Sequence, residues 1–88
     1  MRIDKFIKFF NIIKSRKYAK IACERGLIYV NEKKVKASYK VKKKDKIKIE
    51  LIDRNIEIEI LEVPEKNLKK VEFDKYVKIL NLERKKIA

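Results

Sequence analysis

Two segments in the middle of the chain alternate isoleucine with charged residues almost without exception. They are KIKIEL at residues 46–51 and NIEIEI at residues 55–60. A period of two residues places every isoleucine on one face of an extended chain, so both segments are predicted to be half-buried strands. A turn at residues 53–54 would set their register. The predicted cross-strand pairs are Leu51 with Ile56, Ile49 with Ile58, and Ile47 with Ile60.

The amino-terminal 26 residues have the apolar period of helices. A first helix is predicted over residues 3–13, with one apolar stripe. Ser15 is predicted to cap a second helix over residues 16–25, and Gly26, the only glycine, to close it in a left-handed conformation. The stripe of the first helix consists of Ile3, Phe6, Ile7 and Phe10. The predicted core residues of the second helix are Tyr18, Ala19, Ala22 and Cys23.

Short apolar patterns follow the second helix. LIYVN at 27–31 predicts a strand, and residues 35–37 predict a short partner for it across a turn over residues 31–34. After Pro64, the helical spacing of Phe73, Val77 and Leu80 predicts a terminal helix.

These elements predict an α+β fold. Two amino-terminal helices pack on a small twisted antiparallel sheet, and a short helix ends the chain. The predicted division is a domain over residues 1–63 and a carboxyl-terminal extension over residues 64–88.

The net charge of +13 is confined to one half of the chain. Residues 1–48 hold 17 basic and 4 acidic side chains, whereas residues 49–88 hold 9 of each. A genome rich in A and T would by itself favour the 21 lysines and 14 isoleucines. It would not make one half neutral, so the asymmetry favours a surface that binds an anionic partner.

Several classes of function fit this composition poorly. The chain has no histidine and a single cysteine, Cys23, which is expected to be a buried apolar side chain. Zinc sites, internal disulfides and histidine-based acid–base catalysis therefore lack their usual residues. No nucleotide-binding glycine motif and no membrane-length apolar run occurs. The sequence predicts a cytoplasmic, non-enzymatic protein that needs no cofactor or metal.

The starts of the two helices carry unusual charges. Arg16 and Lys17 stand where the helix dipole is positive, which is unfavourable unless an anion binds there. Arg2 has the same place in the first helix, and arginine is scarce in this lysine-rich chain. Asp4 is open to two interpretations. The one we favour is first-turn capping or pairing with Lys8; the other is a carboxylate that holds Arg2 or Arg16 in place or accepts from a ribose hydroxyl. Taken alone, these cations fit solvated side chains about as well as a binding site.

A second basic band comes from the loops between the strands. It is either a solvated face or an extension of the helical cations. Tyr29 and Tyr39 are either packing residues or platforms on which bases stack. The lysines of the band are Lys33, Lys34, Lys36, Lys40 and Lys42 to Lys44.

The segments RIDKFI and SRKYAKIACERGLIYVN, followed by V.AS..V and D.I.I, resemble the S-four RNA-binding domain family. The resemblance covers residues 1–51. Glu32 and Lys44 replace two turn glycines of the family pattern. The matching positions are Arg2, Ile3, Asp4, Ser15, Arg16, Ala19, Gly26, Ile28, Val30, Asn31, Ser38, Val41, Asp45 and Ile47.

The stand-alone chain is similar to the RqcP family of small bacterial ribosome quality-control factors, which is related to the fifteen-kilodalton heat-shock proteins. That resemblance implies a monomer that binds rRNA and tRNA on a stalled large ribosomal subunit. There it would support alanine-tail addition by a partner factor. Recycling of large subunits that carry peptidyl-tRNA, or another rRNA- or tRNA-binding role, is the alternative.

By this resemblance Arg2, Asp4 and Arg16 are the foremost RNA contacts. A membrane-surface protein that uses the first helix, and an adaptor for an acidic protein, are alternatives of other classes. The full set of predicted RNA-binding residues is Arg2, Asp4, Lys5, Lys8, Arg16, Lys17, Lys20, Lys34, Lys36 and Lys40.

Overall fold

The computed structural model describes residues 1–64 and 73–85. In these residues three helices and five strands follow one another along the chain. They are α1 (Ile3–Phe9), α2 (Arg16–Glu24), β1 (Ile28–Val30), β2 (Lys33–Lys34), β3 (Lys46–Glu50), β4 (Arg54–Ile60), α3 (Phe73–Tyr76) and β5 (Val77–Arg84). The predicted α+β class is confirmed.

The strands form one antiparallel sheet in the order β2-β1-β3-β4-β5. The isoleucines of β3 and β4 are buried and belong to the same apolar cluster as the buried residues of α1 and α2. One face of the sheet therefore forms the core with the two helices. No helix in the two described segments has the length and apolar character needed to cross a membrane.

The register predicted for the β3–β4 hairpin is wrong by two residues. Ile47 pairs with Ile58, and Ile49 pairs with Ile56. The N–H of Leu51 donates to the carbonyl of Arg54 over 2.8 Å, which places the turn one residue earlier than predicted. A shift of two residues leaves every side chain on its original face, so the alternation predicts the buried face correctly without fixing the register.

Both amino-terminal helices end in the same backbone motif. Helix α1 stops before the predicted residue 13 because Asn11 takes a left-handed φ of 56°. The N–H of Ile12 then donates to the carbonyl of Ile7, as in a Schellman motif. Gly26, with a φ of 71°, closes α2 in the same way. The predicted left-handed conformation at the end of this helix is confirmed.

Two side-chain predictions for α2 are wrong. Ser15 occupies the N-cap position, but its side chain makes no capping hydrogen bond. Tyr18 is 64% exposed, whereas Ala19, Ala22 and Cys23 are buried as predicted. Because the neighbouring alanines already fill the face toward α1 and the sheet, the larger Tyr18 ring is left outside.

The hairpin after α2 is tighter than predicted. Residues 35–37 do not form a strand; β2 lies at Lys33–Lys34 and pairs directly with β1. The turn has only two residues, Asn31 and Glu32, with φ values of 50° and 73°. Positive φ at both positions is typical of a type I′ hairpin turn, whose second residue is usually glycine. Glu32 therefore keeps a conformation that its side chain disfavours, and Lys44 does the same at a φ of 74°.

The carboxyl-terminal segment is helical only at its start. Phe73–Tyr76 forms one turn, and from Val77 the chain becomes β5 and pairs along β4. The predicted continuation of the helix through Val77 and Leu80 is wrong, because the free edge of β4 offers backbone partners to an extended chain. The predicted extension over 64–88 is described only at Pro64 and residues 73–85; its other residues lie outside the described segments.

The strain at Glu32 leads to a stability prediction. We expect Glu32→Gly to raise the free energy of unfolding by about 0.5–1 kcal/mol. Relief of roughly 1–2 kcal/mol of left-handed strain exceeds the entropy that glycine adds to the unfolded chain. Urea denaturation followed by circular dichroism measures the difference. Glu32→Ala, which keeps the β-carbon, is the control; an equal gain in that variant would contradict the strain argument.

Candidate nucleic-acid interface

A buried carboxylate lies between the two amino-terminal helices. The Asp4 side chain is only 1% exposed. Its Oδ2 accepts hydrogen bonds from Nη2 of Arg2 over 3.2 Å and from Nε of Arg16 over 3.4 Å, and its Oδ1 accepts from the N–H of Lys5 over 2.8 Å. Of the two roles favoured from sequence, first-turn capping is met in part by the bond from the N–H of Lys5, whereas the pairing with Lys8 is wrong. Asp4 instead holds Arg2 and Arg16 at one point.

The two arginines remain open to solvent. Their side chains are 43% and 51% exposed, although both touch the buried carboxylate. Each guanidinium has five N–H groups, and within the described residues only Asp4 accepts from Arg2 and Arg16. The remaining donors belong to side chains that are open to solvent and held at one point by Asp4. Such a preorganised pair of planar cations suits the oxygen atoms of a phosphate or the edge of a base.

The amino end of α1 is closed by the loop that precedes β3. The N–H of Ile3 donates to the carbonyl of Tyr39 over 2.7 Å, and the N–H of Asp4 donates to the carbonyl of Ala37 over 3.4 Å. The N–H of Val41 donates to the carbonyl of Met1 over 2.9 Å. The first N–H groups of α1 are thus satisfied internally. The same contacts carry the lysines of this loop next to Arg2.

The amino end of α2, by contrast, is open. It has no acidic residue in its first turn and no side-chain cap. In the described part of the chain no acceptor meets the N–H groups of Arg16, Lys17 and Tyr18. Unpaired N–H groups and the positive end of the helix dipole attract anions. The structure therefore has an uncapped, positively polarised helix start beside Arg16 and Lys17, as the cations at this position predict.

A groove of about 440 Å³ runs beside Arg2. It brings together three predicted binding residues from three parts of the chain: Arg2, Lys20 of α2, and Lys36 of the loop. Cys23 lies at its floor and is 5% exposed. Burial, and then the charges of Asp4 and Glu24, raise the pKa of the Cys23 thiol to about 11, so the thiol is neutral near pH 7.

The remaining predicted RNA-binding residues lie in different surroundings. Lys5 and Lys8 on α1, and Lys17 on α2, are exposed. The backbone of Lys40 forms an isolated antiparallel bridge with that of Arg2, and the Lys40 side chain is exposed. Lys34 instead lies against Gly26, so close that a β-carbon there would be 3.1 Å from Lys34 Nζ. That position places its ammonium at the negative carboxyl end of α2, where it stabilises the helix.

A second buried carboxylate organises the loop, and sequence reasoning gave it no role. Asp45 is 6% exposed. Its carboxylate accepts hydrogen bonds from Asn31 Nδ2, from the Tyr39 hydroxyl over 2.7 Å and from the N–H of Lys42 over 2.9 Å. Burial and the bond to Asp45 raise the pKa of Tyr39 to about 12. Of the two roles considered for Tyr39, packing or stacking on bases, the structure shows the packing one. The network around Asp45 could have been found from sequence, because Asn31 and Asp45 both match the family pattern.

Removal of the charge of Asp4 tests its place in the interface. We expect Asp4→Asn to lower the free energy of unfolding by about 1–3 kcal/mol, because a buried acceptor loses charge-assisted bonds to two arginines. Asp53→Asn is the matched control, since Asp53 pairs with Arg54 at the surface and is 48% exposed; we expect a change within about 0.5 kcal/mol there. Equal effects in the two variants would show that the Asp4 bonds contribute no more than a surface ion pair.

The raised pKa of Cys23 predicts slow chemistry at its thiol. Because the thiolate is the reactive form, native protein at pH 8 should react with iodoacetamide far more slowly than the same protein in urea. The rate on the native protein should rise toward pH 11, up to the pH at which the fold opens. Mass spectrometry of timed samples measures both. Equal rates in buffer and in urea at pH 8 would contradict this placement of Cys23.

Known proteins resemble the chain in both sequence and fold. Residues 1–47 match the S4 domain. The chain is 42% identical over 65 residues to the RQC P-site tRNA stabilizing factor of Halalkalibacterium halodurans, an alignment that covers 74% of each protein. It is 30% identical over 76 residues to the protein of the same name from Bacillus subtilis, with 86% of this chain and 88% of the relative covered.

Two solved structures share the architecture. The solution structure of hypothetical protein HP1423 superposes with a TM-score of 0.75 at 32% identity and covers 92% of this chain and 98% of its own. The trimeric structure of Vibrio cholerae Heat Shock Protein 15 gives a TM-score of 0.76 at 21% identity, with 90% and 80% of the two chains covered. The second likeness is one of fold.

Proposed function

The chain belongs to the S4 domain family, and from this membership we propose that it is an RNA-binding protein of ribosome quality control. Relatives at 42% and 30% identity are named for stabilising P-site tRNA, and the alignments span most of both chains. The proposed partners are accordingly tRNA and rRNA on the large ribosomal subunit. We propose a binding role without catalysis, which agrees with the names of these relatives.

One observation supports this proposal most directly: Asp4 is buried, yet the two arginines that it holds are half exposed. Burial of the cations as well would add a desolvation cost, and apolar side chains of similar volume often stabilise a fold at least as well as a buried ion pair, so stability alone gives little reason for this arrangement. Here the carboxylate orients the guanidiniums and leaves their other donors free for an outside acceptor. The open amino end of α2 and the neighbouring lysines add a wider surface for phosphates.

The finer part of the proposal follows the resemblance to quality-control factors. We propose that the protein holds tRNA on a stalled large subunit while a partner factor extends the nascent chain with alanine. Recycling of large subunits that carry peptidyl-tRNA is the second candidate. Co-sedimentation with large subunits that do or do not bear peptidyl-tRNA, with and without the partner factor, separates the two.

The structure makes a membrane-surface role less favourable. Ile3, Phe6 and Ile7 of α1 are fully buried, so the described part of that helix has no free apolar face to insert into a bilayer. The adaptor alternative is tested by nuclease treatment of a ribosome pull-down. An acidic protein partner would remain bound after nuclease, whereas an RNA partner would not.

The ten predicted contact residues remain a proposal at the level of individual side chains. Arg16 is the most informative of them. We expect Arg16→Ala to weaken binding to the large subunit about 5- to 150-fold, the range of a good bidentate contact. The free energy of unfolding should fall by less than about 1 kcal/mol, because the Arg16 side chain is half exposed and Asp4 keeps its bonds to Arg2 and to the N–H of Lys5. Filter binding over a salt series, together with urea denaturation, measures both.

Arg84→Ala is the matched control, because Arg84 is an exposed arginine on β5, away from Asp4. The wild type should lose affinity with log salt at a slope of about −4 to −6, as for roughly five to seven neutralised phosphates. A flat salt response would contradict phosphate binding. Equal losses of affinity in Arg16→Ala and Arg84→Ala would remove Arg16 from the interface.

A further inference from the structure

The groove beside Arg2 has two chemically different parts. Its floor consists of Cys23 and Ala37, which are 5% and 7% exposed, together with the half-buried Val35. The thiol at the floor is neutral because its pKa is raised. Above this apolar floor the groove is lined by exposed polar side chains. They are Arg2, Lys20, Lys36, Ser38 and Glu24.

Glu24 is the unexpected member of this set. It is the only carboxylate that lines the groove in the described residues. It is also the last residue of α2, where the helix dipole is negative and a carboxylate is disfavoured. Within the segments that the structure describes, no cation pairs with Glu24. The three cations outweigh the carboxylate and attract a phosphate, while the carboxylate is an acceptor that a phosphate does not use. The set therefore suits a ligand with a phosphate at one end and hydrogen-bond donors at the other.

An unpaired nucleotide has this distribution of groups. Its phosphate is anionic, its base has flat apolar faces, and the edge of the base carries donors and acceptors. The groove volume of about 440 Å³ lies within the range of pockets that hold small ligands. The guanidinium of Arg2, fixed by Asp4, offers a plane on which a base can stack.

The carboxylate selects among the four bases. Two carboxylate oxygens accept best from two neighbouring N–H groups, and among the unpaired bases guanine presents such a pair, N1–H and N2–H. Adenine and cytosine place a ring nitrogen acceptor beside the amino group, and uracil flanks its single N–H with carbonyl oxygens. We propose that the groove binds one unpaired guanine of the bound RNA, with the base on the apolar floor and its N1–H and N2–H donating to Glu24.

This inference rests on the proposed function, and short RNAs test it separately. The probes are a nine-nucleotide oligouridine and three versions with a central guanosine, inosine or adenosine, measured by fluorescence anisotropy at low salt. We expect the guanosine version to bind at least about fivefold more tightly than oligouridine, the lower bound for a bidentate contact. Inosine keeps N1–H and lacks the amino group, so its affinity should lie between the two. Adenosine should give no gain.

Glu24→Gln is the decisive variant, since it puts an NH₂ group in place of one acceptor oxygen. We expect it to lower the affinity for the guanosine version to that for oligouridine. Glu83→Gln, an exposed carboxylate on β5, is the control and should keep the preference. Salt-dependent binding of all four RNAs without a guanosine preference, or a preference that survives in Glu24→Gln, would overturn the guanine site and leave the proposed function standing. A failure to bind any of these RNAs and the large subunit would overturn both.

Discussion

The contact of Asp4 with Arg2 and Arg16 is the interaction on which the proposed interface depends. A carboxylate that is 1% exposed is stable only with charged or hydrogen-bonding partners, and both of its main partners come from the ends of helices. The contact therefore ties α2 to the start of α1. Both arginine side chains are about half exposed, so the donors that Asp4 does not engage are open to solvent. One interaction thus links the fold to the orientation of the outward cations.

Helix α2 has residues charged against its own dipole at both ends, although the cation Arg25 is its C-cap residue. Arg16 and Lys17 lie at its amino end, and Glu24 lies at its carboxyl end. Each placement is mildly unfavourable for an isolated helix. Tertiary contacts compensate in part, because Lys34 reaches the carboxyl end from β2 and Asp4 neutralises charge at the amino end. The residual imbalance faces outward at the two places where we propose that RNA binds.

The turns show how a backbone conformation can persist without its usual residue. Glu32 and Lys44 stand where the family pattern has glycine, yet both keep the left-handed conformation. The Asp45 network explains why, since its bonds to Asn31, Tyr39 and Lys42 hold the chain on both sides of these positions. The loop that carries Lys36 and Lys40 to the interface is thereby kept in one shape. The backbone strain at Glu32 and Lys44 persists because several buried hydrogen bonds would be lost if the turns opened.

The sequence by itself determined the α+β class, the buried face of β3 and β4, and the half of the chain that carries the positive charge. These features follow from the spacing of apolar residues and from the composition, both of which can be read from one segment at a time. Only the tertiary structure decided the register of β3 on β4, the change from helix to strand at Val77, and the partner of Asp4. The last strand depends on the free edge of β4, and the pairing of Asp4 depends on Arg16, twelve residues away. The register depends on which residues form the turn between β3 and β4, and the alternation of the two strands leaves that open. A pattern along one segment contains no information about which distant backbone or side chain will meet it, and this is why the register, the last strand and the arginine pair required the fold.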